Sequence, residues 1–93
     1  MKDLFDKVSL ECSRNVTNSY STSFSLATKM LSKNIRQDIY NIYGFVRLAD
    51  EIVDTFHDFD KKILLDRFID ELDYSLKNKI STNPILNSFQ FTV

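Results

Sequence analysis

Residues 34–56 read NIRQDIYNIYGFVRLADEIVDTF, and this stretch decides the fold. It holds no Pro and a single Gly, Gly44. Its apolar positions are Ile35, Ile39, Ile42, Val46, Ala49, Val53 and Phe56, at spacings of three, four and seven. That is the period of an α-helix, whose faces repeat every 3.6 residues. At about 1.5 Å per residue the helix is about 35 Å long. A compact domain of 93 residues should have a radius of gyration of about 12 Å. So long a helix in so small a body predicts that the chain is a piece of a larger one.

Toward the N-terminus, Ser32-Lys33-Asn34 interrupts the pattern. A short apolar helix precedes it, with Phe24, Leu26, Ala27, Met30 and Leu31. Ser19-Tyr20-Ser21-Thr22-Ser23 is rich in hydroxyls, which compete for backbone hydrogen bonds, and predicts a break. The first helix runs from about Asp3, its N-cap, to Asn18. Leu4, Val8, Cys12 and Val16 form its inward face, with Phe5 beside them. Toward the C-terminus, His57-Asp58-Phe59-Asp60 is a second break, with Asp58 or Asp60 as N-cap. Leu65, Phe68, Ile69, Leu72, Leu76 and Ile80 then form an apolar stripe among charged residues, which gives out near Ser81. Asn83-Pro84 reads as an N-cap followed by Pro at the first helical position. Ile85, Leu86 and Phe89 open another apolar face without a stop signal before Val93, a second sign of truncation.

Composition narrows the class. One Gly and one Pro leave too little turn chemistry for a sandwich or barrel, so the chain is all-α. Hydrophobic residues are 43% and charged residues 27%, a globular balance. Twelve Lys+Arg stand against 13 Asp+Glu, so there is no basic footprint for nucleic acid. The single Cys12 suits a reducing, cytoplasmic setting and reads as a core residue. No apolar run is long enough to span a bilayer, and Met1-Lys2-Asp3-Leu4-Phe5-Asp6 is not a secretory leader. His57 has no partner at ligand spacing and reads as a helix-end residue.

The chemistry lies on the central helix. Arg36, Tyr43, Arg47, Asp50 and Asp54 fall within about 60° of one another around its axis. Asp50 and Asp54 are one turn apart, so both carboxylates can close on one hard cation. Mg²⁺ takes one or two carboxylates together with phosphates and water. Arg47 can grip a phosphate with two parallel donors, and Tyr43 adds a phenol. Spacing alone favours a solvated face, with Arg47 and Asp50 as a surface ion pair. Against that, Tyr40 and Leu48 make the helix apolar on more than one side, and the charged row has no Lys. Two readings follow: a site for a metal-bridged diphosphate, or a small all-α interaction module with no catalysis.

Tyr20-Ser21-x-Ser23-Phe24, then Arg36, then Ile42-Tyr43-x-Phe45-x-Arg47-x-x-Asp50-Glu51-Ile52-Val53-Asp54, resembles the start of the squalene/phytoene synthase family. The likeness runs from about Val8 to Phe89 and is closest to bacterial phytoene synthase-like members. The upstream Ser-x-Ser-Phe block disfavours chain-elongating prenyltransferases and terpene cyclases, which share an aspartate-rich helix. The resemblance implies the N-terminal helices of an isoprenoid synthase-type bundle, with residues 1–93 as one fragment of that domain. It implies head-to-head (1'-1) condensation of two prenyl diphosphates, geranylgeranyl or farnesyl, through a cyclopropyl diphosphate. The product is phytoene or a squalene-type hydrocarbon of isoprenoid and carotenoid biosynthesis.

Carried over by position, Asp50 and Asp54 ligate Mg²⁺ or Mn²⁺. Arg47 and Tyr43 contact the diphosphate, and Tyr20, Ser21 and Ser23 line that end of the pocket. Some relatives have His where Tyr20 stands. Glu51 replaces an Asp common in the family and points about 100° from Asp50, so it is not expected as a primary ligand. The partner implied is a prenyl diphosphate, with a peripheral membrane association through the apolar product. NADPH use and oligomeric state stay open. Family members are much longer and carry a second aspartate-rich motif downstream. The 93 residues alone are therefore expected to turn over no substrate.

Overall fold

The computed structural model describes all residues from Met1 to Val93. Five helices follow in order: α1 (Lys2–Tyr20), α2 (Thr22–Lys29), α3 (Lys33–Asp54), α4 (Lys61–Asn78) and α5 (Pro84–Thr92). There is no strand, so the chain is all-α. α1, α3 and α5 pack against one another. α4 lies against α3 and α5, and α2 bridges α1 and α3.

Local signals set most boundaries. Ser21 is extended (φ −147°) and its hydroxyl accepts from the Phe24 N–H at 3.1 Å, which ends α1 and caps α2. The Ser32 hydroxyl accepts from the Asn34 N–H at 3.4 Å as α3 begins. Of the two acids proposed as cap for α4, Asp60 serves, accepting from the Ile63 N–H at 3.1 Å. Asn83 caps α5, with Pro84 next, as the sequence predicts. α4 ends two residues early because Lys79 turns left-handed at φ 58°. At the N-terminus α1 starts at Lys2, ahead of the expected Asp3 cap, and no side chain caps it.

Two seams hold the helices. The apolar one joins α3, α4 and α5 through Ile52, Phe68 and Leu86, with Phe45, Leu48, Phe56, Leu65 and Leu72 around them. Phe45 stacks on Phe89 with ring centroids at 4.1 Å. The second seam is polar and tight. Ser9, Ser13 and Thr17 of α1 are fully buried against Asn41 and Gly44 of α3 and Asn87 and Ser88 of α5. Ser9 and Thr17 return their hydroxyls to the carbonyls of Phe5 and Ser13, four residues back in α1. Ser13 hydrogen-bonds Ser88 across the seam. The Asn87 amide donates to Asp6 Oδ1 at 2.9 Å and Ser9 Oγ at 3.1 Å.

This seam corrects the expected inward face of α1. Leu4 and Val8 are exposed, at 53% and 42%, and Cys12 and Val16 are only half-buried. Small residues let backbones approach closely, and hydroxyls satisfied in their own helix carry no desolvation penalty into the core. Close approach, rather than side-chain greasiness, selects the face. α3 departs in the same way. Tyr40, Asn41, Gly44 and Ile52 are buried, whereas Ile35, Ile42, Val46 and Val53 are exposed. On α4, Phe68 is buried as expected, but Ile69 and Leu76 are exposed.

Candidate functional site

The break at Ser21 brings the end of α1 against the middle of α3. There the Tyr20 ring covers the Arg47 guanidinium, with Cζ 5.1 Å from the ring centroid. Arg47 Nη2 donates to Glu51 Oε2 at 3.1 Å, one turn along α3. Arg47 therefore pairs with Glu51, not with Asp50 as a surface ion pair at i, i+3 would have it. The pair is sheltered, with side chains 27% and 17% exposed. Arg47 Nε is buried with no partner. A cavity of about 80 Å³ adjoins the cluster, lined by Val16, Tyr20, Arg47, Leu48, Glu51 and Ile85.

The electrostatics follow from these neighbours. The Thr55 hydroxyl, then the Tyr20 phenol and the Arg47 charge, hold the Glu51 carboxyl below its ordinary pKa against the opposing pull of desolvation. The Glu51 carboxylate in turn pushes the Tyr20 phenol up, because a carboxylate favours the protonated donor.

The remaining expected residues fall into three places. Ser21 is occupied as the α2 cap, and Ser23 sits exposed in the first turn of α2. Tyr43 is half-buried and stacks on Phe24 of α2, centroids 4.8 Å apart. This places the Ser21-x-Ser23-Phe24 block beside Tyr43, one turn of α3 before Arg47. Asp50 and Asp54 lie further along α3, exposed on successive turns, and neither makes an ion pair or hydrogen bond within the chain. Arg36 turns away from the row. It donates to the Leu31 and Lys29 carbonyls at 2.9 and 2.7 Å, closing the C-terminal end of α2.

The sequence model of the squalene/phytoene synthase family matches residues 17–93. The chain belongs to that family. No curated protein and no solved structure matches it. At family level, squalene/phytoene synthases are prenyltransferases of the head-to-head type. In this member, no helix is long and apolar enough to cross a membrane.

Sequence reasoning missed Glu51 and Thr55 as parts of the cluster. The signal for Glu51 was present: an acid four residues after Arg47 is a pairing distance on a helix. Thr55 stands at the same one-turn spacing, four residues after Glu51, as the C-cap just past the last helical residue, Asp54.

Proposed function

We propose that this chain holds the head groups and guides the tails of prenyl diphosphates in a head-to-head synthase. One observation carries the reading: α3 presents two adjoining rows. Ile35, Ile42, Val46 and Val53 form an exposed apolar stripe. Ile42, Val46 and Val53 are each followed in sequence by a member of the polar row, Tyr43, Arg47 and Asp54, so the rows run side by side about 100° apart. A prenyl diphosphate has the same division, a multiply charged head on a long apolar tail. A solvated face of an interaction module has no need of the second row.

The donor set fits a divalent cation that arrives with its substrate. Asp50 and Asp54 have free lone pairs, and no group of three or more His, Cys, Asp or Glu exists that could enclose a metal alone. Mg²⁺ uses few protein carboxylates and fills its shell with phosphates and water, and Mn²⁺ accepts similar oxygen donors. When bound there, Mg²⁺ would neutralise charge on the departing diphosphate. Arg47 supplies a fixed positive charge at the same end, and Tyr43 a phenolic donor. Ser23, still uncommitted, completes the polar end. The apolar stripe keeps water from the allylic carbon as the C–O bond weakens. We assign phytoene or a squalene-type hydrocarbon as the product class.

The test uses Mg²⁺ and inorganic pyrophosphate with the 93-residue chain. The pair should raise its melting temperature by mass action on the folded state. Asp50→Ala and Asp54→Ala should abolish the rise and leave unliganded melting unchanged within about 0.5 kcal/mol, because both side chains are exposed and unpaired. An undiminished rise in the double variant overturns the assignment. Prenyl diphosphates offered to the chain alone should give no hydrocarbon product.

A further inference from the structure

We infer that Glu51 and Tyr20 are positioning residues that act through Arg47, Glu51 clamping its guanidinium by one edge and Tyr20 by one face. Arginine on a helix is ordinarily a mobile side chain with several rotatable bonds. Here it is restrained twice. Nη2 is fixed to Glu51 Oε2 at 3.1 Å, and the Tyr20 ring lies 5.1 Å from Cζ. The two restraints come from different elements, one from α3 itself and one from the last residue of α1.

What remains of the fork is uncommitted: Nη1 makes no hydrogen bond in the chain, and Nε is buried without one. With Nη2 committed and Nε buried, Nη1 is the donor left to meet one more anion. The guanidinium's rotational freedom is already lost before that anion arrives, which is how preorganisation improves binding. Tyr20 therefore serves the site without itself touching a ligand. Any flat aromatic ring in its place could do the same, because the interaction is with the ring face.

The inference rests on the diphosphate reading above only in its second measurement. The first is ¹⁵N-edited NMR of the Arg47 side chain. In the unaltered chain, slow rotation about Nε–Cζ should give distinct Nη1 and Nη2 signals. Glu51→Ala and Tyr20→Leu should each merge them, and Tyr20→Phe should keep them apart. Tyr20 is 54% exposed, so Tyr20→Leu leaves the fold standing, which its melting temperature checks. The second measurement is binding of inorganic pyrophosphate with Mg²⁺. Tyr20→Leu should weaken it about three- to fivefold, and Tyr20→Phe should bind as the unaltered chain does. Arg47 signals that stay distinct in both Glu51→Ala and Tyr20→Leu overturn the clamp. Merged signals with unchanged pyrophosphate affinity overturn its positioning role. If the unaltered chain binds no pyrophosphate, the diphosphate reading fails, and the Arg47 signals still decide whether the clamp exists.

Discussion

Asp6 shows how a single half-buried carboxylate ties the ends of the chain together. It accepts from Lys2 Nζ at 2.7 Å and from the Asn87 amide at 2.9 Å, so it joins α1 to α5. Lys2, then Asn87, hold its carboxyl below the ordinary value. A carboxyl whose pKa is lower in the folded chain contributes stability that is complete above its unfolded pKa. That contribution is lost as pH falls through the folded value. Glu51 has the same sign, with Thr55 as its leading partner. The melting temperature should therefore decline as pH drops below the ordinary carboxylate range. Asp6→Asn should lower the neutral-pH melting temperature and flatten part of that decline, since an amide does not titrate. Parallel melting curves against pH for the two chains would show that Asp6 takes no part. The Lys2 contact is an ion pair with an exposed, mobile lysine, screened by solvent, so the bond to buried Asn87 should carry most of the effect.

At the scale of elements, the contact between α1 and α3 depends on Gly44. A Cβ built there would meet Ser13 Oγ at 3.1 Å and Ser13 Cβ at 3.3 Å. Two effects oppose one another in Gly44→Ala. Alanine favours the helix by about 1 kcal/mol over glycine. Overpacking a tight interface costs about 1–3 kcal/mol. Ser13 cannot yield easily, because its hydroxyl is bonded to Ser88 and its carbonyl accepts from Thr17. Crowding should win, and urea unfolding should show a net loss of about 1 kcal/mol. A more stable Gly44→Ala chain would mean that the helices slide apart freely.

The same seam explains what could be read in advance. Helix number, the breaks at Ser21 and Ser32, and the cap Asn83 follow from local residue chemistry, while for α4 the sequence leaves Asp58 and Asp60 as alternatives and the structure selects Asp60. The row from Tyr43 through Arg47, Asp50 and Asp54 follows from helical period alone. The inward faces of α1 and α3 do not, because hydropathy ranks Ser9, Ser13 and Gly44 below Leu4 and Ile42. Interhelix distance reverses that order. Tyr20 over Arg47 was equally out of reach, since it depends on the angle between α1 and α3.

The whole molecule measures 39 × 31 × 20 Å with a radius of gyration of 13.5 Å, against about 12 Å for a compact chain of this length. Its thin dimension leaves little depth for a core, and much apolar surface is uncovered. The α3 stripe of Ile35, Ile42, Val46 and Val53 is 42–50% exposed along its full run. Soluble monomers rarely leave extended apolar patches facing water. The chain should therefore associate as its concentration rises, and sedimentation velocity should report it. Ile42→Lys with Val46→Lys should restore the monomer, since the charge would have to be buried in any contact through the stripe. Both residues are half-open to solvent, so the melting temperature of the dilute chain should hardly move. Association that survives the two lysines would place the contact elsewhere. The doubly substituted chain should still warm its melting point with Mg²⁺ and pyrophosphate, because Arg47, Asp50 and Asp54 lie on the adjoining row. Loss of that response together with association would mean that the stripe and the polar row cannot be separated.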